Sequence, residues 1–237
     1  MRERIAVDTH VHTEASGDAA CSLSEISELG QRLIEGGRLF VVITDHNTIS
    51  GELENMGRRK LTILGEEIKT SDRNNKGERI EIGALGLESP IESDLMLSET
   101  MLQIREQGGM VVLVHPFDVW RHGAGEKWGR RIINFCLEHR IPVAVETLNA
   151  RAPRRSNRKA EQLWEEFKGK GVLRTAGSDA HWRGEVGRAR VVVSPHIRNK
   201  EEFFEALVGA EIQGGGNVLA TAGHRLINRA LLWRRRL

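Results

Sequence analysis

The 237-residue sequence has no Tyr, only two Cys (Cys21 and Cys136) and no long hydrophobic run. Without Tyr, mechanisms that use a tyrosine nucleophile or acid are excluded. Two Cys make neither a disulfide framework nor a zinc ribbon, so a reducing, cytoplasmic setting is the expectation. The longest apolar stretches, Leu39–Ile43 and Met110–Val114, fall far short of the roughly 18 residues of a membrane span. No signal-peptide core follows Met1-Arg2-Glu3-Arg4. A surplus of one charge is also missing overall, with 35 Lys+Arg against 33 Asp+Glu. The balance is uneven, however. Residues 224–237 hold five Arg and no acid, which leaves 30 basic against 33 acidic residues elsewhere. That tail places Leu226, Ile227, Ala230, Leu231 and Trp233 among its Arg, the pattern of a basic amphipathic helix expected to dock on the domain.

A charged content of 29% and a hydrophobic content of 39% are values of a globular chain, and the length fits one domain. Short apolar runs predict strands at Ile5–Val7, Leu39–Ile43, Thr62–Leu64, Arg79–Leu87, Met110–Val114, Pro142–Val145, Val172–Thr175 and Arg190–Val193. Helical periodicity predicts helices over Ser24–Glu35, Ser98–Gln107, Arg130–His139, Asn157–Lys168 and Glu201–Val208. This alternation implies a parallel sheet with helices outside, and seven or eight such units fit a closed barrel better than an open sheet. A Gly-rich nucleotide turn after the first strand would favour the open sheet, but Asp8-Thr9-His10-Val11-His12 stands there instead.

Six predicted strands end in potential metal ligands: His10 and His12, Asp45-His46, Glu66-Glu67, His115, Glu146 with Asn149, and Asp179-Ala180-His181. In a barrel these ends share one rim. His10 and His12 point the same way in an extended chain, and Asp179 and His181 repeat the spacing. Imidazole and carboxylate without thiolate suit Zn, Mn or Fe, and so many donors predict two or three ions. Paired ions activate water and stabilise an in-line displacement at phosphorus.

The stretches DTHVHTEASGD (8–18), VVITDHNT (41–48), ILGEEI (63–68), VVLVHPFD (111–118), VETLNAR (145–151) and TAGSDAH (175–181) together resemble the PHP (polymerase and histidinol phosphatase) family of metal-dependent phosphoesterases. The resemblance spans residues 5 to about 193. It implies an α/β fold, a distorted seven-stranded β/α (TIM-like) barrel, over residues 1–200, with 201–237 as a helical extension packing on it. It implies that His10, His12, Glu67 and Asp179 hold one ion and that Asp18, His46 and His181 hold a second. Glu67 would bridge to a third ion shared with His115. Gly83 stands where some members carry a further His, so the third site departs from the pattern. Glu66 would point away, to solvent or a supporting partner.

The expected reaction is hydrolysis of a phosphomonoester or phosphodiester, with a nucleotide or oligonucleotide end favoured, by a metal-bridging hydroxide. His115, His181 and Asp179 are the candidate catalytic residues, and metal binding is favoured over free acid–base work for the two His. Arg121, Asn149 and Arg151 are the candidate phosphate-binding residues. Asp8 and Asp45 are candidates to orient ligand His side chains. Trp120 and Trp182 are read mainly as packing residues, with stacking on a base as the sharper alternative. Histidinol phosphate is the alternative substrate, and a non-catalytic binding module the alternative class. The expected partner is a phosphorylated small molecule or a nucleic-acid end, with no membrane.

Overall fold

The structure, a computed structural model, describes residues 4–29, 33–34, 37–49, 63–118, 121–194 and 197–215. The strands run further than the apolar runs that predict them. β1 (Ile5–Val11) continues through His10, β3 (Gly37–Ile43) follows the short β2 (Leu33–Ile34), and β4 (Leu64–Arg73) extends through Glu66, Glu67 and Lys69. β5 (Arg79–Leu87) and β6 (Met110–Leu113) lie close to their predicted bounds. β7 (Val143–Asn149), β8 (Leu173–Gly177) and β9 (Ala189–Val193) follow, and β10 (Glu211–Gly214) was not foreseen. The helices are α1 (Leu23–Leu29), α2 (Leu97–Glu106), α3 (Gly125–Glu138), α4 (Arg154–Phe167) and α5 (Lys200–Ala206). Helix α1 is shorter than its periodicity suggests, because Leu33 and Ile34 pair with β3 instead.

Two five-stranded sheets result, in the orders β10-β9-β1-β3-β2 and β4-β5-β6-β7-β8. The expected parallel sheet is corrected here to a mixed one. Among the described residues the fold is a mixed α/β arrangement of two sheets, with no closed barrel. Among the described strands, β1/β3, β6/β7 and β7/β8 pair in parallel, whereas β2/β3, β4/β5, β5/β6, β1/β9 and β9/β10 are antiparallel. The β4–β5 connection is a hairpin whose turn is closed by Asn74: its backbone and side chain exchange hydrogen bonds with Glu78, Gly77 and Lys76. A hairpin forces antiparallel neighbours, while a parallel pair needs a longer crossover. The two sheets meet at two single bridges, Val11 with Ala180 and His46 with Glu67.

Three apolar clusters fill the layers. One packs the outer face of the second sheet, through Ile68, Ile80, Ile82 and Val143, against α2, α3 and α4. A second packs α1 through Ile26 against Ala6, Val11, Leu39 and Ile43. The third lies between the sheets, where Val7, Val42, Leu85, Val112, Ala144 and Ala176 meet Phe203 and Leu207 from the α5 region. Residues 201–215 thus contain both helix α5 and strand β10, the latter joined to β9. The basic tail, Trp120, His196 and residues 50–62 lie outside the described residues, as does part of the predicted helix beyond Leu29.

A bulge in β1 connects this packing to the site. Its pairing with β3 advances from Asp8 to Val11 while β3 advances only from Val41 to Ile43. One extra residue exchanges the two faces of a strand. Val7 therefore faces the space between the sheets, whereas Val11 packs beside Ala6 on the α1 side. His10 and His12 turn inward in its place.

Candidate metal centre

The strand ends bring His10, His12, His46, His115, Asp179 and His181 together around Glu67, which is 1% exposed. Glu67 Oε2 lies 3.3 Å from His10 Nε2, 3.2 Å from His12 Nε2 and 3.3 Å from His46 Nδ1. Its other oxygen lies 2.8 Å from His115 Nε2. Asp179 Oδ1 is 3.7 Å from His12 Nε2, and Asp18 Oδ2 is 3.4 Å from His181 Nε2 and 3.6 Å from His46 Nε2. Three groups of donors lie within 4.8 Å of one another in this set: His10–His12–Glu67, His12–His46–His181 and His10–His115–Asp179.

The hydrogen bonds around these residues fix which ring nitrogen carries the proton. His10 Nδ1 lies 3.0 Å from Glu146 Oε1, an acceptor when ionised, so Nδ1 is the protonated nitrogen and Nε2 offers a lone pair. The Ser16 hydroxyl donates to Asp45 Oδ1 at 2.8 Å and so accepts from His12 Nδ1 at 3.0 Å. His12 Nε2 therefore also presents a lone pair. The two Nε2 atoms stand only 3.1 Å apart. Two lone pairs at that distance, with a carboxylate beside them and all nearly free of solvent, repel one another unless a proton or a cation lies between them. The donor set and its supporting carboxylates are compatible with a divalent metal site. The residues therefore fit the group that their types imply.

Charge follows the same geometry. Burial opposes a charge on His10, but the Glu146 and Glu67 carboxylates outweigh it and raise its pKa to about 10. Burial, then the neighbouring His181, hold His12 well below its ordinary value despite Glu67. Burial also lowers His181, to about 4, with Arg151 adding to the effect against Asp18. Burial would raise Glu67, yet His46 and His10 draw it well below the usual carboxylate range. Asp18 moves downward as well, because hydrogen bonds from His181 and His46 overcome its burial. The Glu146 and Glu67 carboxylates thus favour a positive charge at His10.

Backbone strain collects at the same rim. His115, at φ 28°, and Asp179, at φ 55°, are two of the five described non-glycine residues with positive φ, and Asn47 beside His46 is a third. Such conformations persist where surroundings enforce them. Glu146 Oε2 holds His115 by accepting its N–H at 2.7 Å. The Asp179 N–H donates to His10 O at 2.7 Å. Close approach also makes Gly177 necessary, because a Cβ there would lie 2.2 Å from His10 Cβ.

The candidate phosphate-binding residues lie against Asp179. Arg121 pairs with Asp179 and with Asp118, and donates to Asn149 Oδ1 at 3.1 Å. The Asn149 amide donates to Glu146 Oε2 at 2.9 Å and Asp179 Oδ2 at 3.0 Å. Arg151 Nη1 donates to Asp179 O at 3.2 Å and contacts His181 Nδ1. Asp8 receives the N–H groups of Ser178 and Gly187 at 2.8 and 2.7 Å and so ties β1 to the Asp179 loop. Its burial raises its pKa to about 6 despite those donors.

Several positions differ from the sequence reading or extend it. Glu66 does not face solvent: it is buried and accepts the Ile91 N–H at 2.9 Å, and burial raises its pKa to about 7. Trp182 packs beside the α1 cluster. Glu146 was visible as a strand-end acid, yet its grip on His10 and His115 depends on tertiary placement. Ser16, Lys69, Glu81 and Glu185 were missed. Glu185 accepts the His181 N–H at 2.9 Å. The spacing of Ser16 from His12, four residues on, was the only hint of its role.

Known proteins resemble this chain in sequence or fold. A family model described as PHP-associated matches residues 154–211. An uncharacterized protein of Methanocaldococcus jannaschii is 33% identical over 212 residues, covering 85% of this chain and 78% of that protein. A two-domain protein of Bacteroides vulgatus, which contains a predicted PHP-like metal-dependent phosphoesterase, superimposes with a TM-score of 0.67 at 14% identity. That match covers 94% of this chain and 70% of the other. The chain belongs to the PHP family. A lesion-specific endonuclease of Pyrococcus furiosus has a similar fold, with a TM-score of 0.56 and 13% identity over 88% of this PHP chain and 57% of the other. Among the described residues of this PHP protein, no helix is long and apolar enough to cross a membrane.

Proposed function

We propose that this PHP protein hydrolyses a phosphate ester, with a nucleotide or oligonucleotide end as the favoured substrate, at a centre of two or three divalent ions. The observation that carries the reading is the pair of buried His10 and His12 Nε2 atoms that face each other and Glu67. In this reading His10, His12, Glu67 and Asp179 hold one ion, Asp18, His46 and His181 a second, and His115 with Glu67 a further one; Mn, Zn and Fe suit the donors. When bound, such ions supply a Lewis acid and lower the pKa of water toward neutrality.

The chain's own groups do the positioning. Glu146 and the Ser16–Asp45 pair keep the imidazoles in their ligating tautomers. His181, whose pKa burial lowers to about 4, and His115 serve as ligands at the rim in this reading rather than as free bases. Arg121 and Arg151 place two guanidinium groups within contact of Asp179, where they meet the anionic oxygens of a substrate. Asn149 aligns Asp179 and Glu146 beneath them. We read β1 and β3–β8 as the strands that line this centre, in two sheets joined by the two single bridges.

The test is hydrolysis of a panel of nucleoside bisphosphates, short oligonucleotides, histidinol phosphate and aryl phosphates by protein loaded with Mn, Zn or Fe. Turnover of a nucleotide or oligonucleotide end, abolished by chelator, is expected. Inactivity on every ester with metal bound moves the protein to the binding class.

A further inference from the structure

One donor group at the mouth differs from the others. On the inner face of the β4–β5 hairpin, Glu67 lies opposite Gly83, and the next inward pair is Lys69 opposite Glu81. Glu81 is 3% exposed, and its carboxylate joins His46 and Glu67 in a fourth set of donors within 4.8 Å of one another. His46 Nδ1 is buried there without a hydrogen-bond partner. β5 offers no ligand at the register of Glu67 itself, since a Cβ on Gly83 would lie 2.8 Å from Val114 Cγ1. By donor type alone, this group suits a divalent ion.

A cation is already present, however. Lys69 Nζ lies 3.2 Å from Glu81 Oε1, and its side chain is one-third exposed while that of Glu81 is almost fully buried. A buried carboxylate needs a partner, and a neighbouring ammonium provides one. The same ammonium repels a divalent ion brought within a few ångströms of it, and low solvent access weakens the screening of that repulsion. A lysine tethered to the sheet is also present at every metal concentration, which a dissociable ion is not.

We propose that the Lys69 ammonium, clamped by Glu81, replaces a divalent ion at the His46–Glu67–Glu81 group, so that Glu81 ligates no metal in the working protein. This rests on the metal-centre reading above, in which His46 and Glu67 serve the ions already assigned, and adds that Glu81 joins none of them.

The experiment is elemental analysis of bound Mn after equilibrium dialysis of the full chain. Lys69→Met, which leaves Glu81 without its cation, is expected to bind one equivalent more than wild type, with at least tenfold tighter retention of that ion. Lys69→Arg and the Lys69→Met/Glu81→Gln double variant are expected to match wild type. Glu81→Gln is also expected to match wild type, and it decides the question alone if Lys69→Met does not fold. Loss of an equivalent in Glu81→Gln, or no gain in folded Lys69→Met, overturns the proposal. A wild type that binds no Mn refutes the metal centre as a whole and the Lys69 proposal with it, whereas a wild type that binds Mn normally while Glu81→Gln loses an ion refutes the Lys69 proposal alone.

Discussion

The space between the two sheets has an apolar end and a polar end, built by the same strands and buried alike. At the apolar end, Val7, Val42, Leu85, Val112 and Ala144 close around Phe203. At the other, His10, Glu67, His115, Glu146 and Asp179 are just as hidden from water. In the first, shape decides stability, and any side chain of similar volume serves nearly as well. In the second, each group fixes the proton or the charge of another, so one substitution is felt through several neighbours. The bulge in β1 is the hinge between the two regimes, since it turns His10 inward where plain alternation would have continued the apolar face.

The contrast is best broken from its apolar side first. Phe203→Ala is expected to cost about 3–5 kcal/mol of folding stability by leaving a cavity. Urea unfolding measures it, and metal content per folded molecule should stay at the wild-type value. Next in size, Glu67→Ala should lower metal-dependent hydrolysis by about 10²–10³-fold, since it removes the one carboxylate shared by four imidazoles. Steady-state kinetics at saturating Mn provide the check, and the circular dichroism of the variant should remain that of wild type.

Glu146→Gln probes the supporting layer. It keeps the volume but weakens the hold on His10 Nδ1 and the His115 N–H, so metal affinity should fall by about 10–100-fold. Competition against a chelator of known affinity reads this directly. The smallest expected effect belongs to Glu66, the neighbour of Glu67 on the opposite face of β4. Burial raises its folded pKa from 4.5 to about 7. The folded state then binds the proton more tightly than the unfolded one. Its favourable contribution is complete below about pH 4.5 and is lost as pH rises through about 7. In chelator, Glu66→Gln should therefore be about 1–3 kcal/mol more stable than wild type at pH 8, a gain that fades by pH 5. Denaturant unfolding at both pH values measures it.

The polar end was more legible in the sequence than the fold that holds it. His10, His12, His46, Glu67, His115, Asp179 and His181 stood out because each follows an apolar run, and the structure gathers all of them. Strand direction was not legible. The turn at Asn74–Gly77 joins β4 to β5 as a hairpin, but the polar residues of β4 cut its apolar run to a stub and hid the strand. Leu33 and Ile34 continued a helical period and yet pair with β3, because the sheet edge offers them hydrogen bonds that periodicity cannot register. The partners of the ligands were hidden for another reason. Glu81 and Lys69 meet only across strands, and Ser16 reaches His12 only once Asp45 has oriented its hydroxyl.

The most direct test of the metal centre is the number of divalent ions retained by the wild-type chain after loading with Mn and exhaustive dialysis. At least about two per chain are expected, with the count falling in Glu67→Ala. Retention of none, by protein that is folded and at full occupancy of its native state, would contradict the assignment of these donors to a metal centre.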